Sequence, residues 1–220
     1  AAVDGCELVF HAAAGFSYWG YSREEMMDTV REGTGMMVEA WRDAGVRRIV
    51  LTSSTSVLGG NTSPEPLSED APLNEDGPDY FQSKAVQERL AVQMAKELGV
   101  DLAVVNPAVF VGPNDFRPSQ SAQTFTGFLR DPFKLSYPGG LSLVHVEDVA
   151  RGHLIAAQQA RPYERHILAG ENLRWGEFHE MLAVLTAGPG PRIRVNRSVA
   201  YAAAAIMELV AAIIRRPPPA

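Results

Sequence analysis

Short apolar runs and helically spaced apolar positions alternate along this chain. Glu7-Leu8-Val9-Phe10-His11-Ala12-Ala13-Ala14 is a continuous apolar run ending in small residues, the pattern of a strand buried on both faces. Ser22-Arg23-Glu24-Glu25 then forms a capping box, with Ser22 as N-cap and Glu25 three residues on. The helix it opens sets Met26, Met27, Val30, Met37, Val38 and Trp41 at helical spacing and is expected to stop near Gly45. Gly33 and Gly35 each weaken its middle by roughly 1 kcal/mol relative to Ala, unless they admit another backbone at close range. Residues 47–54 read as a second strand that ends in hydroxyls, and residues 80–98 as a second helix closed by Gly99. Between them, residues 55–79 are rich in Gly, Pro, Ser and acids and read as a long surface loop. A third buried strand spans residues 100–105 and is broken by Pro107.

Alternation of this kind predicts an α/β fold with a doubly wound parallel sheet, and such sheets bind ligands beyond the carboxyl ends of their strands. Ala12-Ala13, Ser53-Ser54 and Asn106-Pro107 all fall at those ends. Past Gly112-Pro113 the pattern loosens. Helices are expected at residues 119–130, 147–159 and 175–185, with short strands at 141–146, 165–169 and 192–195. The expected organisation is therefore a doubly wound part at 1–113, a smaller lid-like region facing the crevice at 114–197, and an apolar helix with a Pro-rich tail at 198–220. That last helix reads as buried or as one that has lost its partner, with an interfacial or oligomer-contacting helix as the alternative. Interrupted by Glu208, it falls short of the roughly 20 apolar residues of a membrane span.

Composition narrows the function classes. With 220 residues, 46% of them hydrophobic, the chain can bury a substantial core. Its net charge of -6 and scattered basic residues give no stripe for a nucleic acid. Cys6 is the only cysteine, so no internal disulfide forms, which fits a reducing cytoplasm. The first residues show neither a basic leader nor a long apolar run, so no signal peptide is expected, and the chain reads as entering its fold at an inner strand.

Tyr80 and Lys84 stand four apart and share one helix face. A free phenol ionises near pH 10, and a neighbouring ammonium favours the phenolate, which makes this a pair suited to moving protons. His145, Asp148 and His153 do not have a recognised ligand spacing, so no metal site is expected. His11 reads as a packed strand-end histidine. Neither Ser53 nor Ser54 carries the flanking glycines of a hydrolase nucleophile elbow.

From about Gly5 to about Arg194 the chain resembles the extended short-chain dehydrogenase/reductases, also called the NAD-dependent epimerase/dehydratase family. It looks most like the dihydroflavonol-reductase-like branch that includes hopanoid-associated sugar epimerases. The carrying segments stand in the family's order: Val9-Phe10-His11-Ala12-Ala13, Glu32-Gly33-Thr34, Val50-Leu51-Thr52-Ser53-Ser54, Tyr80-Phe81-Gln82-Ser83-Lys84, Asn106-Pro107-Ala108-Val109, Leu143-Val144-His145-Val146-Glu147-Asp148 and Ile167-Leu168-Ala169-Gly170. The resemblance implies NAD or NADP as cofactor, with Ala12, Ala13, Tyr80, Lys84, Pro107 and Val109 in contact with it. It also implies a small-molecule substrate met by Ser54 and Asn106, and a possible homodimer. Tyr80 would be the acid/base, Lys84 would bind the nicotinamide ribose and lower the Tyr80 pKa, and Ser54 would hold the reacting oxygen, with Ser53 and Thr55 as alternatives.

Two departures stand out. The chain has no Gly-x-x-Gly-x-x-Gly or Gly-x-Gly-x-x-Gly turn to cradle a pyrophosphate, so the family's first strands are expected to be missing and the chain alone to be inactive. The residue that separates NAD from NADP would be missing with them. Val30 occupies a position where the family usually has an Asn that supports a proton path. The expectation is an oxidoreductase or epimerase acting on a secondary alcohol or ketone. The alternative is a catalytically silent NAD(P)-sensing or scaffold protein on the same fold.

Overall fold

A computed structural model describes residues 3–13, 22–60, 63, 65–116 and 119–214. Ala14 and the tail at 215–220, both named in the sequence reading, lie outside the described residues. In chain order the elements are β1 (Leu8–His11), α1 (Arg23–Asp43), β2 (Arg48–Thr52), a 3-10 turn (Thr55–Leu58), α2 (Asp79–Leu98), β3 (Leu102–Pro107), β4 (Val109–Val111), α3 (Gln120–Arg130), β5 (Leu135–Ser136), β6 (Gly140–His145), α4 (Val146–Gln159), β7 (Arg165–Leu168), β8 (Glu171–Arg174), α5 (Trp175–Leu185), β9 (Ile193–Arg194) and α6 (Arg197–Ile214).

The chain divides into two units. The first takes residues 1–108 and 147–169, and its frame is a wholly parallel sheet in the order β1-β2-β3-β7. Alternate residues of β2 and β3 point to opposite faces, and both faces are covered. Ile49, Leu51, Leu102 and Val104 pack with Val38 and Trp41 of α1 and Ala91 and Ala95 of α2. Val50, Ala103 and Val105 pack on the other side against Ala156 of α4 and Ala160. This explains why both strands read as unbroken apolar runs rather than as alternating ones.

Local signals place the helices. The capping box of α1 is complete: Ser22 N donates to Glu25 Oε2 at 2.8 Å, and Glu25 N donates to Ser22 Oγ at 3.2 Å. Gly99 ends α2 in the left-handed conformation, at φ 69°. Gly33 and Gly35 admit no neighbouring backbone: a side chain would meet nothing at the first and only the end of Met94 at the second. The stretch read as a loop from residue 55 begins with the 3-10 turn, whose Val57 and Leu58 pack with Ala85 of α2. Asn74 N donates to Val57 O at 2.7 Å, which anchors the acid-rich segment back on that turn.

The expected domain boundaries need correction. Helix α4 and strand β7, assigned from sequence to the smaller region, belong to the first unit. β7 extends the main sheet by pairing with β3, Val104 opposite Arg165 and Asn106 opposite Ile167. Periodicity tells a strand from a helix but does not say which sheet the strand joins.

The second unit takes residues 109–146 and 170–220. It holds a sheet in the order β4-β6-β8, with β4 parallel and β8 antiparallel to β6, and the short parallel pair β5-β9. Residues 109–111 and 171–174, which sequence periodicity does not mark as strands, are β4 and β8. Its core is aromatic: His179 is buried and stacks on Phe128 with ring centroids 4.0 Å apart, and Phe125 and Trp175 pack on Phe178. Burial holds the His179 pKa below the usual imidazole value. Helix α6 forms as expected, but Val199, Tyr201, Ile206 and Met207 are exposed on it, so the reading of a buried helix does not hold for these residues. No helix among the described residues is long and apolar enough to cross a membrane.

Candidate active site

Parallel pairing puts the carboxyl ends of β1, β2 and β3 on one edge of the first unit's sheet, with His11 opposite Leu51 and Thr52 opposite Val105. Just past these ends lie Ala12 and Ala13, both exposed, then Ser53 and Ser54, while Pro107 closes β3 itself. Helix α2 starts at the same edge. Lys84, in its second turn, donates from Nζ to the Thr52 carbonyl at 2.9 Å. Lys84 is thus tied to the Thr52 end of β2, and Asn106 of β3 separately to the Ser54 carbonyl two residues on.

Lys84 is buried, and its second acceptor is Gln87 Oε1 at 2.8 Å. Burial lowers the Lys84 pKa to about 8, and the Glu88 carboxylate pulls partly the other way. An ammonium has three N–H donors, so these two contacts leave one for a ligand. Tyr80 lies one helical turn before Lys84, half-buried, with its ring edge against Phe81 at 6.1 Å between centroids.

Among the three hydroxyl candidates, Ser53 is buried, whereas Ser54 and Thr55 are half-buried. Ser54 caps the 3-10 turn: its Oγ accepts from Ser56 N at 3.1 Å, which fixes the side chain while leaving its hydroxyl able to donate. Gly59 ends that turn with φ 75°, and a side chain there would overlap Asn74.

Asn106, expected at the substrate, is fully buried. Its Nδ2 donates to Glu88 Oε2 at 2.8 Å and to the Ser54 carbonyl at 3.2 Å. The side chain therefore lies behind Ser54 and supports its backbone. Glu88 is held in turn by Arg165 of β7, Nε to Oε1 at 2.7 Å. Arg165 also donates to the carbonyls of Glu69 and Ala71, and Glu69 Oε1 accepts from Ile167 N at 3.0 Å. This chain of contacts, buried at Glu88 and Asn106 and exposed at Glu69, ties the acid-rich segment, β7 and α2 to the Ser54 strand end. Sequence reasoning missed Gln87, Glu88 and Arg165. The available signal was the spacing of Gln87 and Glu88, three and four residues after Lys84 on the same helix face.

Two histidines border this edge. His11 packs against Trp41 with ring centroids 5.5 Å apart, and its pKa is lowered by burial and by the nearby Lys84 charge. His153 of α4 has Nδ1 2.8 Å from the Val149 carbonyl, which requires a proton there, so Nε2 accepts from the Thr52 hydroxyl at 2.8 Å. Val109, expected at the cofactor, belongs to the second unit.

Residues 1–170 match the NAD dependent epimerase/dehydratase family. The chain belongs to that family. Among curated relatives, sterol demethylase protein B of Methylococcus capsulatus is 36% identical over 198 residues, covering 88% of this chain and 59% of its own length. A putative dihydroflavonol 4-reductase of Synechocystis is 32% identical, covering 98% of this chain and 64% of that protein. The chain thus spans about three fifths of these relatives. Among solved structures, gox2253 superposes with a TM-score of 0.84 at 30% identity, covering 99% of this chain and 67% of that one.

The side chains at the strand ends fit the nicotinamide end of the cofactor that the family's name implies. Lys84 retains a donor, and Ser53 Oγ and Ser56 Oγ are buried without a hydrogen-bond partner among the described residues. Ala12 and Ala13 present no bulk. The sequence offers no glycine turn for a pyrophosphate.

Proposed function

We propose that this chain carries the proton-transfer half of an NAD(P)-dependent oxidoreductase or epimerase site acting on a secondary alcohol or ketone, such as a nucleotide sugar or a dihydroflavonol-like ketone. Bound at the strand ends, a nicotinamide supplies or accepts the hydride. Lys84 and Tyr80 hold its ribose side, with Ala12, Ala13 and Pro107 beside it. Tyr80 exchanges a proton with the substrate oxygen, which needs its phenol within about 3 Å of that oxygen. Lys84 favours the phenolate by its charge, and Ser54 donates a hydrogen bond to the same oxygen.

One observation carries this reading: Lys84 is buried one turn after Tyr80, tied to the Thr52 carbonyl at 2.9 Å, with a pKa lowered to about 8. A surface pair on an amphipathic helix would be neither buried nor tied to a strand end. The test is hydride transfer by the full-length protein on nucleotide sugars and ketones, followed by nicotinamide absorbance. Tyr80→Phe should lower kcat at least about a hundredfold, within the usual range for a lost general acid/base. Wild-type turnover unaffected by Tyr80→Phe would overturn the mechanism. We expect the 220-residue chain by itself to turn over little, because it lacks a pyrophosphate turn.

Val30, which is not a hydrogen-bonding side chain, supports a second reading as a cofactor sensor. Saturable NADPH or NADH binding by the full-length protein without any turnover would favour it.

A further inference from the structure

Lys84 is served by two consecutive polar residues of α2, and they divide their work. Gln87, almost fully buried, presents its neutral Oε1 to Lys84 Nζ at 2.8 Å. Glu88, equally buried, spends both carboxylate oxygens elsewhere, on Arg165 Nε at 2.7 Å and Asn106 Nδ2 at 2.8 Å. A charged acceptor is thus available one residue away, yet the atom in contact with the ammonium is uncharged. The amide can meet an ammonium only through its oxygen, so this contact also fixes which way the Gln87 side chain is turned.

We propose that Gln87 is a positioning residue for the proton-transfer pair: it locks the direction of Lys84 Nζ with a neutral acceptor, so that the ammonium keeps its charge for Tyr80 and one N–H for a ligand hydroxyl. The proposal rests on the reading of Lys84 given above. Its physical content is the difference between two acceptors. A carboxylate in direct contact would neutralise the ammonium's field and hold its proton firmly. An apolar side chain would leave the ammonium with one acceptor, free to rotate and poorly solvated. Gln lies between the two. It also supplies, from α2 itself, a buried polar contact that Val30 of α1 cannot make.

The test reads Lys84 directly and needs no turnover. Competitive acetylation of the 220-residue chain across a pH series, resolved by peptide mass spectrometry, gives the titration of Lys84. Lys96 and Lys134 serve as internal references. The wild-type midpoint is expected near 8. In Gln87→Glu it should rise by about one unit or more, slowing Lys84 labelling at neutral pH about tenfold. In Gln87→Met it should fall, speeding labelling about threefold for half a unit. Either variant decides the matter if the other fails to fold. Wild-type Lys84 profiles in the folded variants would overturn the proposal, even if the variants melt earlier, because that is what a merely structural glutamine would give. In the full-length protein, the pH dependence of kcat should shift in the same direction as the labelling midpoint. Shifted labelling with no hydride transfer in any form would leave the Gln87 contact standing and remove the reaction assigned to the pair.

Discussion

Helices α1 and α2 pack on the same face of one sheet but bury different chemistry. The buried positions of α1 are Met27, Thr34, Val38 and Trp41. Those of α2 are Gln82, Ser83, Lys84, Gln87 and Glu88 beside Ala85 and Val86 in its first half, and only Ala91 and Ala95 in its second. The core contacts that α1 makes with the sheet are apolar, and dispersion and water exclusion account for them. In the first half of α2 the buried apolar residues are Ala85 and Val86 alone, and polar side chains outnumber them. Each of its polar groups is costly to bury and survives because a specific partner meets it. Such groups mark candidate functional sites, and the proposed function assigns that role to Lys84.

The comparison is broken most severely at Arg165. Arg165→Met leaves the Glu88 carboxylate buried without its cation, and loss of one member of a buried pair costs about 3–5 kcal/mol. The urea midpoint should fall accordingly, and Glu88→Leu added to it should recover most of the loss. A single variant with a wild-type midpoint would show that the network contributes no stability.

Lys84→Met should act in the opposite direction. Removing a buried ammonium should stabilise the fold by about 1–3 kcal/mol at neutral pH while abolishing the proposed proton transfer. The sign follows from the lowered pKa. Between about 8 and 10.5 the unfolded chain holds a proton that the folded chain has released. The handicap of burying the charge is therefore full below pH 8 and gone above about 10.5. The gain of the variant, measured by denaturant titration, should fade over that window. A gain that does not change with pH would locate its origin in packing instead.

The smallest effect belongs to α1. Ser22→Ala removes the side-chain half of an exposed capping box and should cost about 1 kcal/mol, visible as a modest drop in Tm. It should leave the Lys84 titration unmoved, which separates helix stability from site chemistry.

These effects also show how far the chain could be read in advance. The strands up to Pro107, the capping box of α1 and the Gly99 stop of α2 follow from local rules, and the structure contains them. The placement of Ser54 just past a strand end and of Tyr80 and Lys84 one turn apart on a helix was legible because strand ends and helix spacing are local too. Glu88 and Arg165 were not, since a charged residue on a helix ordinarily faces solvent and their pairing spans 77 positions of sequence. The same blindness assigned β7 to the wrong region, because a strand's partner is a property of the topology. Asn106 shows the intermediate case: its place at the strand end was legible, but its burial behind Ser54 depends on Glu88.

The return of the chain to its first sheet has a consequence for synthesis. Strand β3 is complete at Pro107, but its outer neighbour β7 and the covering helix α4 come after the whole of residues 109–146. At about 5–20 residues per second on the ribosome, the open edge of β3 and the apolar face of Val50, Ala103 and Val105 wait seconds for their partners. Arg165 arrives with β7, so the last contact of the buried network is also the latch that closes this interval. Nascent chains halted before it would present an unpaired strand edge of the kind that holdase chaperones shield and that seeds aggregation.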